Sequence, residues 1–155
     1  MKTFIGDDFL LKTEAARILY HEHAEKMPIF DYHCHLNPQE IYEDVRFGDL
    51  AHAWLGGDHY KWRVMRANAV PERCITGDAP GREKFDRYAE VMPRLIGNPI
   101  YHWSHLELIR FFGIDDLLDP TTADNIWDKA NAKLQSPAGS SRSLIQESPV
   151  RALCT

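Results

Sequence analysis

Apolar residues recur at helical spacing through most of the chain, and only two short stretches have the composition of strands. The first stretch, 29–35, is short, rich in aromatic residues and bounded by Pro28 and Pro38, and the second, 150–155, is short and apolar. The other periodic segments carry the capping and breaking residues that are typical of helices. We predict helices over these ranges: 13–26, 38–42, 50–55, 59–69, 82–92, 99–113 and 121–135, with one or two helical turns more near 143–149.

Four of these helices begin after a residue whose side chain suits the N-cap position, where an oxygen atom accepts a hydrogen bond from a backbone amide of the first turn. The predicted N-caps are Thr13, Asn37, Asp49 and Asp58. The 99–113 segment has proline near its start and glycine at its end, as helix termini prefer.

The two predicted strands are separated by more than one hundred residues of mostly helical chain. Two strands alone do not form a stable sheet, and a buried parallel strand needs neighbours on both sides. The chain is therefore either a helical domain with two incidental extended pieces or the front part of a larger α/β protein. We favour the second interpretation, because it gives both strands a sheet to join.

The composition favours a globular protein and argues against nucleic-acid-binding, membrane-spanning and disulfide-rich classes. The chain has 155 residues, 44% of them hydrophobic, which fits one globular domain with a core. The formal net charge of −5 argues against a dedicated nucleic-acid surface. No apolar run approaches the roughly 20 residues that span a bilayer, and the N-terminal segment lacks the apolar core of a signal peptide. The three widely spaced cysteines suggest no disulfide framework, so we expect a cytoplasmic protein.

The most informative motif is a His-x-His, His33 and His35, close to the end of the first predicted strand. Side chains alternate between the two faces of a strand, so both imidazoles lie on one face, about 6.6 Å apart along the backbone. Two such rings can converge on one cation at metal–nitrogen distances of about 2.1 Å. The carboxyl ends of parallel strands are also where α/β proteins place their sites. The alternative is one structural and one exposed histidine.

The opposite face of that strand is apolar, and we expect it to pack against a helical layer. Cys34 belongs to this second face, so we do not count it among the metal ligands. The residues on this face are Phe30, Tyr32, Cys34 and Leu36.

A second motif follows the double glycine Gly56-Gly57, where a helix predicted to be capped by Asp58 begins with His59 and Tyr60. A helix N-terminus favours anions. Four side chains share one face of this helix by the i, i+3, i+4, i+7 rule and could hold a carboxylate and neighbouring hydroxyls: His59, Trp62, Arg63 and Arg66. The alternative is that the arginines are solvated and Trp62 packs in the core.

The remaining histidines and cysteines have structural interpretations. We expect His102 and His105 to pack in the core, because the helix that carries them is apolar on most faces. His21 and His23 are expected to be solvated, and His52 to lie at the surface or in local packing. Cys74 and Cys154 are expected to be small buried residues.

Several of these stretches together resemble the N-terminal third of the uronate isomerase (glucuronate isomerase) family, a divergent branch of the amidohydrolase superfamily. The resemblance covers nearly the whole chain in the expected order. The His-x-His alone is common to the superfamily, whereas the GGDHYKWR and NPIYHW runs are far more specific. The matching stretches are FDYHCHLNPQEI, LGGDHYKWRVMRANAV, GNPIYHWSHLELIRFFGI and VRALCT.

The resemblance implies the fold class α/β, specifically an incomplete (β/α)8 TIM barrel of the amidohydrolase type. Residues 1–155 would form the N-terminal part of a single barrel domain dominated by a helical insertion. In that arrangement 28–36 is the first strand, about 37–148 is mostly insertion, and 150–155 begins the next barrel strand.

The family reaction implies an aldose–ketose isomerase of uronate catabolism. It interconverts D-glucuronate with D-fructuronate, and D-galacturonate with D-tagaturonate. Matched motif by motif, His33 and His35 correspond to metal ligands for a divalent ion, with zinc expected. Tyr60 corresponds to a catalytic phenol and His59 to a substrate contact, and Arg63 and Arg66 lie in the same motif.

The resemblance also implies a further metal-binding and catalytic aspartate and other substrate-binding arginines in the later part of the family's sequence, and none of these matches a position in these 155 residues. We therefore expect a fragment that has little or no isomerase activity alone. The expected partner is a small hexuronate, with no nucleic acid and no membrane, and a homo-oligomer is left open. Two other functions stay open: a metal-dependent hydrolase of the superfamily, and a truncated, non-enzymatic helical module.

Overall fold

The structure is a computed structural model that describes residues 4–155. In chain order its main elements are α1 (Glu14–Ile18), β1 (Ile29–Asp31), α2 (Pro38–Glu43), α3 (Leu50–Leu55), α4 (His59–Ala67), α5 (Gly81–Val91), α6 (Pro99–Phe112), α7 (Ala123–Leu134), α8 (Ser141–Gln146) and β2 (Val150–Leu153). All the helices predicted from the sequence are confirmed. Within the described residues, no helix combines the length and apolar character needed to cross a membrane.

The predicted N-caps are confirmed by hydrogen bonds. Each cap side chain accepts from an amide in the first turn of its helix: Thr13 from Ala16, Asn37 from Gln39, Asp49 from His52, and Asp58 from Tyr60 and Lys61. The first predicted helix is regular only over α1 and continues as a π-helix, Leu19–Ala24. Local capping chemistry therefore accounts for where these helices begin.

The chain divides into two compact units. The first comprises the chain up to Val45 together with Ser140–Thr155, and it contains both strands. The second, Arg46–Gly139, contains the helices α3 to α7.

In the first unit, β1 and β2 pair side by side in parallel. Parallel strands require a crossover connection, so this pairing agrees with the α/β interpretation and not with two incidental extended pieces. The backbone pairing continues past β1, because Cys154 donates to the Asp31 carbonyl at 2.9 Å and Cys34 donates to the Cys154 carbonyl at 3.0 Å. The paired residues are Ile29 with Val150, Phe30 with Ala152, and Asp31 with Leu153.

Both strands are shorter than the sequence predicts. The predicted range 28–36 contains only β1, which ends at Asp31, and the predicted range 150–155 contains β2, which ends at Leu153. After β1 the backbone amide of His33 donates to the Asp31 carboxylate at 3.2 Å. This local side-chain bond occupies a donor that a regular strand would give to a neighbouring strand.

The apolar face predicted to pack under a helical layer is open instead. Phe30 is 67% exposed, Tyr32 is 89% exposed and Leu36 is 46% exposed. Cys154, expected to be buried, is also exposed. These expectations were wrong for the described residues, because nothing within 4–155 covers the end of this two-stranded sheet.

Hydrogen bonds join α2 and the residues that follow it to the start of α8 in the first unit. The Ser141 hydroxyl donates to the Glu40 carbonyl at 2.8 Å, and the Ser141 amide donates to the Val45 carbonyl at 2.9 Å. The Arg142 amide donates to the Asp44 carboxylate at 3.0 Å. The helical turns predicted near 143–149 are thus confirmed as α8, which begins slightly earlier.

The second unit has the larger apolar core. Its helices contribute side chains that are almost completely buried: Leu50, Met65, Phe85, Tyr88, Leu108, Ile126 and Leu134. Helix α6 ends at Gly113, whose φ of 65° is the left-handed conformation predicted for a terminating glycine. This core supports α4, the helix that carries the second predicted motif.

Candidate functional site

His33 and His35 turn their rings toward each other just beyond the carboxyl end of β1. Their Nε2 atoms lie 3.1 Å apart. The ring centroids are 5.0 Å apart and the ring planes are inclined by 76°. Both residues are exposed. The structure therefore brings together the two histidines that the sequence predicts to act on one ion.

The backbone around this pair is fixed on both sides. The Asp31 carboxylate holds the amide of His33, and the amide of Cys34 is bonded to the neighbouring strand at Cys154. Directly after His35, Asn37 caps α2. The two imidazoles thus project from a short segment anchored at the end of one strand and the start of one helix.

The spacing of the pair fits a metal ion. Zinc–nitrogen bonds of about 2.1 Å at tetrahedral angles place two ligand nitrogens about 3.4 Å apart. The observed 3.1 Å is close to that value. A direct hydrogen bond between one protonated and one unprotonated nitrogen has the same length, so the metal-free pair is also satisfied. Among the described residues no group of three or more potential ligands occurs, so the pair would supply two ligands.

The double glycine joins α3 to α4 in the second unit. A β-carbon on Gly56 would lie 2.5 Å from the carbonyl oxygen of His52, whereas one on Gly57 would meet open space. The Trp62 indole donates from α4 to the Leu55 carbonyl at 2.7 Å. Trp62 therefore closes this turn, and the structure favours the packing interpretation of that residue.

His59 and Tyr60 occupy the first turn of α4. Their ring centroids are 4.3 Å apart with an interplanar angle of 34°. The Arg63 guanidinium lies over the Tyr60 ring, 5.5 Å from its centroid. Tyr60 is 44% exposed, and its ring lies next to the His59 imidazole and the Arg63 guanidinium. The three residues predicted to act together are thus adjacent.

Arg66, the fourth predicted residue of this motif, has a different partner. It forms a two-bond ion pair with the Glu72 carboxylate, in which Nε donates at 2.8 Å. Hydrogen bonds from Arg66 and then from Thr76 lower the pKa of Glu72 to about 2. A substrate carboxylate would have to displace Glu72 before it could pair with Arg66. Arg63, which has no carboxylate partner in the described residues, is the more accessible cation.

Lys61, whose burial was not predicted from the sequence, is 4% exposed. Its ammonium lies 2.9 Å from the Asp58 carboxylate and 3.5 Å from the Glu107 carboxylate of α6. Burial raises the pKa of Glu107, although the charge of Lys61 opposes the rise. The only sequence signal was the Asp58–Lys61 spacing of three residues at a helix start, which commonly gives a surface pair.

Two other histidines have satisfied structural roles. His105 is buried and lies with Nδ1 2.7 Å from the Tyr101 carbonyl, while Nε2 accepts from the Leu118 amide at 2.9 Å. These bonds define the neutral tautomer, and burial lowers the pKa of His105. The core-packing prediction for this residue is confirmed. His21, predicted to be solvated, has a partly exposed side chain that pairs with Asp8 at 3.1 Å, and that hydrogen bond raises its pKa.

Comparison with known proteins identifies relatives along the whole chain. The family model for glucuronate isomerase matches residues 1–155. Uronate isomerases from Lachnospira eligens and Bacillus licheniformis are 56% and 54% identical to this chain over 155 residues. The alignments cover 100% of this chain and 33% of each relative. The chain thus spans about a third of the length of these relatives.

Two solved structures of uronate or glucuronate isomerases are similar in fold to this chain. A crystal structure of uronate isomerase from Thermotoga maritima matches with a TM-score of 0.93 and 38% identity, over 99% of this chain and 34% of that chain. A glucuronate isomerase from Caulobacter crescentus matches with a TM-score of 0.78 over 84% of this chain and 29% of that chain. At 24% identity, the second match bears on the fold alone.

Proposed function

Because this chain belongs to the glucuronate isomerase family, we propose that its residues form the metal-binding and proton-transferring part of a uronate isomerase active site. The observation that carries the proposal is the 3.1 Å separation of the His33 and His35 ring nitrogens. That spacing suits two ligands of one divalent ion, and zinc is the metal that we propose.

The proposed reaction is the interconversion of D-glucuronate with D-fructuronate, and of D-galacturonate with D-tagaturonate. Such an aldose–ketose isomerisation moves a proton between C2 and C1 through an enediol. A bound divalent ion would polarise the substrate's carbonyl and hydroxyl oxygens.

The chain's own residues have separate roles in this proposal. Tyr60 exchanges a proton between its hydroxyl and a substrate oxygen as the enediol forms, a kind of step that typically contributes 10²- to 10⁴-fold. His59 stacks against the Tyr60 ring and contacts a substrate hydroxyl. Arg63 pairs with the uronate carboxylate, and Arg66 joins it only after releasing Glu72. A guanidinium suits this task because it binds a carboxylate through two parallel bonds.

We further propose that the two parallel strands begin a (β/α)8 barrel of the amidohydrolase type, with α2 to α8 as the insertion after its first strand. Two strands cannot close an eight-stranded barrel. The His33–His35 pair supplies only two of the ligands that a metal site needs. For both reasons residues 1–155 alone are expected to show little or no turnover.

The test uses the full-length polypeptide that carries these residues. Purified protein is incubated with D-glucuronate and D-galacturonate, and the ketose product is followed by a coupled reductase assay, with amide and ester substrates in parallel. We expect uronate turnover that falls by at least about 10²-fold in Tyr60→Phe and in His33→Ala. His23→Ala, which removes an exposed histidine of the π-helix, is the matched control and should retain full activity. Hydrolysis of amides or esters without uronate turnover would overturn the proposal.

A further inference from the structure

We propose that Lys61 is a positioning residue that fixes the first turn of α4 and thereby the orientation of His59 and Tyr60. The proposal rests on the proposed function for its catalytic consequence, because it assigns those two residues to the active site. Its structural part stands on the buried charge cluster that Lys61 forms with Asp58 and Glu107.

The Lys61 ammonium is enclosed by groups from three helices or their caps. It lies 2.9 Å from Oδ2 of Asp58 and 3.5 Å from Oε2 of Glu107. It also lies over the ring of Trp54, 5.4 Å from the centroid. A lysine with 4% exposure is rare unless its charge is paired, and here two carboxylates and an aromatic face provide that pairing.

The Asp58 carboxylate connects this cluster to the first turn of α4, which carries His59 and Tyr60. Oδ2 accepts a hydrogen bond from the Lys61 ammonium. Oδ1 accepts hydrogen bonds from the backbone amides of Tyr60 at 2.9 Å and Lys61 at 3.2 Å. Any rotation of the carboxylate that frees Oδ2 also moves Oδ1 away from the Tyr60 amide. The ammonium therefore holds the cap in the orientation that fixes the backbone of Tyr60.

Lys61 and Tyr60 are consecutive, yet they have opposite exposures. Lys61 is 4% exposed and Tyr60 is 44% exposed, because successive helical residues point in different directions. The inward side chain anchors the turn, and the outward ring faces the proposed substrate. Lys61 is accordingly not a substrate contact, since its ammonium is turned toward the core of the second unit.

The single positive charge of Lys61 is shared by the carboxylates of Asp58 and Glu107, so a neutral side chain cannot replace it in this position. Asp58 belongs to the cap of α4 and Glu107 to α6, so one ammonium links the start of α4 to a neighbouring helix. Removal of the ammonium leaves two partly buried carboxylates facing each other without a cation, which favours movement of the cap toward solvent. Such movement displaces His59 and Tyr60 even where the rest of the fold persists.

The experiment compares Lys61→Met with Lys129→Met in the full-length polypeptide, the latter removing a lysine whose side chain is 56% exposed on α7. Two measurements are made: steady-state kinetics with D-glucuronate, and hydrogen exchange at the Tyr60 and Lys61 amides. For Lys61→Met we expect kcat to fall by about 10- to 100-fold with KM changed much less, as for misplaced catalytic groups. Exchange at both amides should accelerate beyond that of α5 and α6. Lys129→Met should match the unaltered protein in both measurements.

A double variant, Lys61→Met with Glu107→Leu, separates positioning from stability, because it removes one of the two carboxylates left without a cation. We expect its thermal stability to recover relative to Lys61→Met while kcat and amide exchange stay impaired. Recovery of kcat together with stability would overturn the proposal, as would unchanged kcat and exchange in the single variant. If the unaltered protein turns over no uronate, the proposed function fails, and the amide exchange still decides the role of Lys61.

Discussion

The buried hydrogen bond between Tyr88 and Ser104 allows a direct test of polar pairing in the core of the second unit. The Tyr88 hydroxyl lies 2.7 Å from the Ser104 hydroxyl, and both residues are fully buried. The Tyr88 ring also packs edge-on against Trp54, with centroids 5.9 Å apart. Burial raises the pKa of the Tyr88 phenol, in keeping with a dry environment.

Removal of either hydroxyl leaves the other without a partner in that environment. An unsatisfied buried polar group costs about 1–3 kcal/mol, whereas replacing both partners by apolar groups is nearly neutral. We therefore expect Tyr88→Phe and Ser104→Ala each to lower the free energy of unfolding by about 2 kcal/mol. The double variant should lose less than about 1 kcal/mol, so the two changes are strongly coupled.

The assay is urea denaturation followed by tryptophan fluorescence, because Trp54 reports on the packing of Tyr88. All four proteins of the cycle are compared at one pH and one protein concentration. Additive effects, with the double variant losing about 4 kcal/mol, would refute the interpretation of these hydroxyls as a mutually satisfied buried pair.

Two further predictions concern the Gly-Gly turn and a histidine of the first unit. Gly56→Ala should lower the thermal midpoint clearly, because its β-carbon would meet the His52 carbonyl at 2.5 Å, whereas Gly57→Ala, facing open space, should change it little; equal effects would contradict this. The Asp8 carboxylate raises the pKa of His21. The contribution of this pair to the stability of the folded protein is therefore fully present below the unfolded pKa of about 6.5, and it is lost as pH rises through the higher pKa of the folded state. The difference in thermal midpoint between the unaltered protein and His21→Asn should thus be larger at pH 5.5 than at pH 9, and a difference independent of pH would exclude this pairing.

Helix boundaries were the part of the fold most accessible from sequence, because they depend on local chemistry. Asn37, Asp49 and Asp58 were recognisable as N-caps since the amides that they satisfy lie two or three residues away. Gly113 was recognisable for the same reason, as a residue that tolerates the left-handed conformation. Strand ends were less predictable, because the extent of β1 depends on a partner strand more than one hundred residues away and on the Asp31 side chain.

In the candidate site, too, features set by neighbouring residues could be predicted and features set by distant residues could not. The His33–His35 pair could be predicted, because two residues separated by one position at a strand end share a side. The partner of Arg66 and the burial of Lys61 could not, since both depend on side chains that only the folded chain brings near. Glu72 follows a turn after α4, and Glu107 belongs to another helix. An arginine or lysine on a helix therefore has the same sequence pattern whether it binds a ligand or a carboxylate of its own chain.

We propose that His33 and His35 bind one metal ion together, and zinc K-edge X-ray absorption of the zinc-loaded, full-length polypeptide can detect their ring nitrogens at the metal. The geometry predicts two imidazole nitrogens at about 2.0–2.1 Å from zinc in the unaltered protein. His33→Ala and His35→Ala should each lose one of them, and His23→Ala should lose neither. A first shell without histidine nitrogens in the unaltered protein, or one that both single variants leave unchanged, would show that these two histidines do not bind the ion together.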